Sequence, residues 1–260
     1  AGVELIGVAS SAADAEIIAL AATALEALGV GGLSVDITLP TMVPEICAAL
    51  AVDNADAARW RDALDIRDSN AVEAVGGAAG GLLKALLDAS GPAESALAAL
   101  EDLDLPKKPA KERQHLAETL KFLRQTAPDL AVTVDPVEHR GFEYHSGLSF
   151  TVFANGVRGE IGRGGRYLAG ADGEQSTGFT LFLDSIIRAL PEASRPDRVY
   201  LPFGAAVAQA ALLRAEGRVT VAGLTAERDP MTSAREQGCT HILLDEIIAV
   251  QRENNGTNKK

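Results

Sequence analysis

Asn155-Gly156, set between two runs rich in β-branched and aromatic residues, constrains this chain more than any other feature. Asn-Gly is the favoured pair for a two-residue type I′ turn, because both central positions need positive φ. It predicts one long hairpin from Arg140 to Tyr167 and fixes the register. Ala154 faces Val157, Val152 faces Gly159, Phe150 faces Ile161 and Leu148 faces Arg163. One side of that ribbon is apolar and packs on a core. The other gathers Glu143, His145, Ser149, Thr151, Glu160 and Arg166, with Gly147, Gly162 and Gly164 among them. Glycines in strand interiors weaken a sheet and call for a reason. A pocket floor for a small polar molecule is one reading; a plain hairpin with a solvated outer face is the other.

Composition narrows the functional classes. Apolar residues make up 47% of the 260 positions but aromatics only 4%, so the core is expected to be aliphatic, with closely approaching helices. A net charge of −12 argues against a nucleic-acid surface, which needs clustered Lys and Arg. The basic residues Lys107, Lys108, Lys111, Arg113, Lys121 and Arg124 are interleaved with acids and read as a solvated face. No apolar run approaches the roughly 20 residues that span a bilayer. Cys47 and Cys239 read as reduced core thiols of a cytoplasmic protein. His115, His139, His145 and His241 show no metal spacing, and Gly76 to Gly81 lacks the Lys-Ser or Lys-Thr of a phosphate loop. Neither metal nor cofactor is expected, and no catalytic residue is singled out.

Along the chain, Ala1 to Gly7 is a strand already under way, which suggests a truncated protein. Ser11 to Asp14 resembles a capping box, and the helix that follows stops at Gly29. A second strand follows at Leu33 to Ile37. Residues 53–130 form short helices broken by glycine, with Pro106 to Pro109 an exposed connector. Ala131 to Asp135 returns to the sheet. Leu168 to Ser176 reads as a loop leading to a strand that runs into a helix, Thr177 to Arg188. The fold class is α+β, with residues 1–196 a core carrying a helical insertion at about 53–130. Residues 197–260 form a small α/β unit, disordered from Asn254 onward.

Arg140-Gly141-Phe142-Glu143-Tyr144-His145, followed by Gly164-Gly165-Arg166-Tyr167, resembles the paired histidine-binding signatures of the histidyl-tRNA synthetase family. The Phe-Glu-Tyr-His form is similar to a paralogous family, the regulatory subunits of ATP phosphoribosyltransferase. The resemblance implies a class II synthetase-like antiparallel sheet flanked by helices. It also implies histidine binding by Glu4, Arg140, Glu143, Tyr144, His145, Gly164, Gly165 and Arg166. In this family Glu4 takes the α-amino group. The third class-defining motif, near Gly-Phe-Ala-Met-Gly-Leu-Glu-Arg, keeps Gly178 and Phe179 here. It departs at Phe182, Asp184 and Ser185, the last replacing the arginine that holds the ATP γ-phosphate. Serine supplies no cationic fork.

The resemblance therefore implies a non-catalytic, histidine-binding regulatory subunit. Its partner would be the catalytic short-form ATP phosphoribosyltransferase, within a hetero-oligomer that contains a homodimer. The alternatives are a true synthetase, which would need ATP and tRNA, and a folded fragment with an incomplete pocket.

Overall fold

The structure, a computed structural model, describes residues 1–77, 79–138, 144–191 and 196–250. They fall into two compact units, Ala1–Pro191 and Glu192–Lys260.

The first unit is built on a seven-stranded sheet: β1 (Gly2–Ile6), β2 (Ser34–Thr38), β3 (Gly91–Pro92), β4 (Ala131–Asp135), β5 (His145–Phe153), β6 (Gly162–Ala169) and β7 (Glu174–Leu181). Their order is β1-β7-β6-β5-β2-β4-β3, antiparallel except where β2 runs beside β4. Its helices are α1 (Ser11–Ala27), α2 (Met42–Ala49), α3 (Asn54–Asp65), α4 (Ser69–Val75), α5 (Gly80–Asp88), α6 (Ala93–Glu101), α7 (Lys107–Thr126) and α8 (Leu183–Ala189).

α1 buries Ile17, Ile18, Ala21, Ala22 and Leu25 together with Ile37, Phe150 and Val152 of the sheet. With alanine at so many buried positions, the helix backbone can approach its neighbours closely. Its cap differs from expectation. Ser10 is the N-cap and accepts from the Ala13 N–H at 3.3 Å. Ser11 and Asp14 are buried and engaged elsewhere, Ser11 Oγ donating to Glu118 at 3.0 Å.

Along the chain, α2 to α7 form the connection between the parallel neighbours β2 and β4. Trp60 is fully buried there and donates Nε1–H to the Val72 carbonyl at 3.2 Å. Residues 106–109 are not an exposed connector. α7 starts at Lys107, and the buried Pro109 is tolerated because first-turn N–H groups have no intrahelical acceptor. The basic residues of α7 tie neighbours together. Lys108 pairs with Glu45, Arg124 with Glu94, and Arg113 donates to the Leu100 and Leu103 carbonyls.

Residues 168–176, expected as a loop, are a hairpin. β6 continues to Ala169 and β7 resumes at Glu174, with Gly170 and Gly173 at φ +66° and +67° in the turn.

The second unit holds β8 (Arg198–Leu201), α9 (Val207–Ala215), β9 (Val219–Ala222), α10 (Pro230–Glu236), β10 (His241–Leu243) and β11 (Ile247–Ala249). Its sheet has the order β11-β10-β8-β9, and β11 was not anticipated. Asn254 to Lys260 lies outside the described residues. Cys47 and Cys239 are both buried, and burial pushes both thiols up. Among the described residues no helix is long and apolar enough to cross a membrane.

Candidate functional site

β1, β7 and β6 lie side by side and set three rows of residues on one sheet face. The middle row is Glu4, Gly178 and Gly165. On one side lie Gly2, Thr180 and Arg163; on the other lie Ile6, Ser176 and Tyr167, with His145 opposite Tyr167 on β5. Same-face rows are about 7 Å apart, because alternate strand residues share a face. Between Glu4 and His145 the floor carries no side chain. Glycine is also what lets the strands close up. A Cβ on Gly178 would fall 2.6 Å from the Val3 carbonyl oxygen, and one on Gly165 2.7 Å from both the His145 ring and Ser149 Cα.

An open cavity of about 550 Å³ stands over these rows, lined by Glu4, Tyr144, His145, Arg163, Tyr167, Thr180 and Phe182 with the glycines beneath. Tyr167 and Glu4 stand close enough to interact, and partial burial together with the neighbouring Glu4 carboxylate pushes the phenol up. The exposed Tyr144 ring leans on His145 at 4.0 Å between centroids and meets Tyr167 edge-on at 6.4 Å. One end of the cavity is thus an aromatic row, the middle holds an acid, and the far end holds a guanidinium.

The arrangement differs from the expected hairpin because the register differs. β5 ends at Phe153 and β6 begins at Gly162, so residues 154–161 form a long connection rather than a two-residue turn. Asn155 does not serve the turn alone: its N–H donates to the Gly32 carbonyl at 3.2 Å, and its side chain fills the space a Gly32 Cβ would take. Phe150 consequently faces Gly164, not Ile161, and Thr151 faces Arg163. An odd displacement reverses the faces of β6 relative to β5.

That reversal moves Arg166 off the cavity side. It is 5% exposed and pairs with Asp14 of α1, with further bonds to the Val8 and Ser10 carbonyls. Gly147 lies against its stem, and the Cβ position of Gly164 points at the Phe150 ring. Ser149 is buried and shares a hydrogen bond with Thr38 at 2.6 Å, while Glu160 sits in the connection and pairs with Arg163 at 2.8 Å.

Of the residues anticipated, Glu4, Tyr144, His145, Gly164 and Gly165 line the cavity, whereas Arg166 does not. Arg140 and Glu143 lie outside the described residues. The residues missed are Arg163, Tyr167 and Thr180. Alternation outward from Gly165 would have found the first two, had the register been right.

Where the resembled motif carries glycine and arginine, the chain has Phe182 and Ser185. Phe182 lines the cavity beneath Arg163, whose guanidinium lies 5.4 Å from the ring centroid. Ser185 is buried and accepts from Arg188 Nη2 at 2.9 Å.

A family model described as histidyl-tRNA synthetase matches residues 1–186. The ATP phosphoribosyltransferase regulatory subunit of Rhodospirillum centenum is 52% identical over 241 residues, covering 93% of this chain. The chain spans 62% of that relative's length. A structure from Bacillus halodurans C, described as an ATP phosphoribosyltransferase regulatory subunit/histidyl-tRNA synthetase, superposes with a TM-score of 0.72 at 22% identity, covering 90% of this chain and 65% of that one. The ATP phosphoribosyl transferase (HisG:HisZ) complex from Thermotoga maritima contains a chain with a TM-score of 0.58 at 19% identity, covering 70% and 65%. At those identities the two structures establish the fold alone. With more than half of its length matched by the family model, the chain belongs to the histidyl-tRNA synthetase family.

Proposed function

We propose that this chain is the histidine-binding part of a non-catalytic regulatory subunit of ATP phosphoribosyltransferase. One asymmetry carries the reading. The amino-acid end of the cavity keeps an acid, a bare glycine floor and an aromatic row, while Phe182 fills the nucleotide end and Ser185 stands where a phosphate-holding arginine would be. Losing a charge clamp in such a site costs several kcal/mol of transition-state stabilisation, enough to abolish useful adenylate formation. Binding of the amino acid uses the other end and survives.

In this reading Glu4 takes the ammonium group, with Tyr167 beside its carboxylate, while Tyr144 and His145 form the wall against the imidazole. Gly164 and Gly165 keep the floor open, and Arg140 and Glu143 complete the site. Arg166 supports it from the opposite sheet face. The partner is the catalytic short-form subunit, joined by a regulatory homodimer in a cytoplasmic hetero-oligomer. Support comes from the names of the curated relatives and from the Thermotoga maritima complex. Residues 1–196 act as the synthetase-like core and 197–260 as a separate small domain. Regulation requires that histidine favour one of two subunit arrangements, because a ligand bound equally in both shifts nothing.

Titration calorimetry with histidine, run beside histidine-dependent pyrophosphate exchange with ATP, tests the reading. Saturable histidine binding without exchange is expected. Exchange above background would make the protein a synthetase, and absence of histidine binding would end the proposal.

A further inference from the structure

Arg166 faces a second, smaller cavity on the side of the sheet away from Glu4. It is open, about 200 Å³ in volume, and lies among the approach to α1, the residue after β2, helix α7 and the strands β5 and β6, with Leu39, Lys111, Glu112, His115, Gly147 and Arg166 in its walls. A space several times the about 30 Å³ taken by one water is more than a packing void. It is also below the roughly 300–1,000 Å³ of sites for drug-sized ligands, so it admits only a compact molecule.

The β5 wall is a bulge. His145 pairs with Tyr167 and Ser149 with Gly165, so Ser146, Gly147 and Leu148 stand opposite Arg166 alone, and all three line the cavity. Extra residues in a bulge drop out of the ladder, and bulges gather beside binding sites. The α7 wall carries an acid with one oxygen unused. Glu112 Oε1 accepts from the Thr41 hydroxyl at 2.5 Å, while Oε2 is buried with no hydrogen-bond partner among the described residues. A buried polar atom in that state is costly unless something outside the chain meets it.

The nearby cations do not meet it. Arg166 spends its nitrogens on Asp14 and on the Val8 and Ser10 carbonyls, and His115 engages Asp14 and Ser11 through its two ring nitrogens. Lys108 pairs with Glu45. Of the cationic lining groups this leaves Lys111, which is exposed. An anion entering here would find that one lysine and would face Glu112 besides. An ammonium group meets the unused oxygen directly, and it favours the ionised carboxyl that burial alone disfavours.

We propose that this cavity is a ligand site for a compact primary ammonium compound, whose ammonium group donates to Glu112 Oε2. The rest of the ligand lies against Leu39 and the bulge, where Lys111 favours a compound that also bears a carboxylate. The proposal is independent of histidine binding in the cavity over Glu4.

Amide chemical shifts of the intact chain, followed by nuclear magnetic resonance as ethylamine, ethanolamine, β-alanine or acetate is added, test it. Circular dichroism and urea unfolding check that each variant is folded. The three amines are expected to give saturable shifts centred on Leu39, His115 and Gly147, and acetate none. Glu112→Gln keeps the shape but removes the charge, and should weaken the amines about tenfold or more. Ala9→Phe fills the cavity from an exposed position and should abolish the shifts with Glu112 intact. The β-alanine arm identifies the source. Binding tighter than that of ethylamine, with the advantage lost in Lys111→Gln, points to an amino acid, and equal binding points to a simple amine; either result upholds the ammonium seat.

Shifts confined to Gly178 and Thr180 would put the amines in the other cavity, and binding unchanged in Glu112→Gln would remove their recipient. Saturable shifts with no amine would leave Glu112 to water alone. Each of these outcomes, or acetate binding in preference to the amines, overturns the proposal.

Discussion

Asp14 of α1 and Arg166 of β6 form a two-bond ion pair almost entirely out of water. Nη2 donates to Oδ1 at 2.8 Å and Nε to Oδ2 at 3.1 Å, with side-chain exposures of 1% and 6%. His115 Nε2 adds a third bond to Oδ2 at 2.6 Å. The pair joins the helix to the strand that carries Arg163, Gly165 and Tyr167 on its opposite face. It positions the site without touching the cavity. Removing one partner of such a pair leaves a buried charge, which costs about 3–5 kcal/mol, whereas replacing both with apolar residues is near neutral. Arg166→Met should therefore lower unfolding free energy by roughly that amount in urea titration, and the Asp14→Leu/Arg166→Met double variant should recover most of it.

Glu4 lies on an edge strand, with Tyr167 beside it in the cavity. Glu4→Gln keeps the shape and removes the charge that an ammonium group needs. Histidine affinity measured by calorimetry should fall on the order of tenfold or more, as expected when one charged partner is lost. Tyr167→Phe should fall less, because the carboxylate remains and only the neighbouring hydroxyl is lost. Neither substitution should change the urea midpoint appreciably.

Gly178 and Gly165 meet the opposite result. Alanine at Gly178 would press its methyl group against the Val3 carbonyl oxygen and Glu4 Cα, forcing β1 away from β7. Overpacking of this kind costs about 1–3 kcal/mol. Gly178→Ala should lower stability by that order and also weaken histidine binding, since Glu4 moves with β1. Urea titration and calorimetry on the same preparation would show both losses together, unlike Glu4→Gln.

Glu112 of α7 is largely buried and accepts from Thr41 Oγ1 at 2.5 Å, and burial pushes its carboxyl up. In the folded chain this group keeps its proton at pH values where the unfolded chain has released it. Its contribution to stability consequently falls as pH rises from the ordinary carboxylate range through the raised value, then levels off. Glu112→Gln should remove that decline. Asp88 and Glu94, held low mainly by Lys84 and by hydrogen bonds around the Glu94 carboxylate, act with the opposite sign. The measurable quantity is therefore the difference between variant and parent in urea unfolding across pH. A difference that stays constant with pH would contradict the assignment.

The strands of the sheet were legible where β-branched and aromatic residues alternate, as in β2, β4 and β5, and the ends of α1 and α7 were marked by glycine and proline. The site was legible in part. Glu4, Tyr144 and His145 stood out through a resemblance that spans short motifs. Arg163 did not, because its face depends on register, and register was read from Asn155. That residue also answers to Gly32, from a distant segment, and no local rule contains that contact. Tertiary demand likewise took Asp14 from its apparent capping role: a buried guanidinium needs a carboxylate more than a helix end does. Proline misled at Pro109, where its first-turn tolerance outweighs its use in connectors.

The pairing of β1 with β7 brings Glu4 against Gly178, residues from opposite ends of the first unit. Contacts between such distant points carry the full entropic cost of loop closure and form late in folding. The acid proposed to receive the ligand is thus held only when β1 closes on β7, and a loosened edge would release it while the helical block stayed folded. Hydrogen exchange at the β1 amides should slow when histidine is added, making ligand occupancy and edge closure one cooperative event.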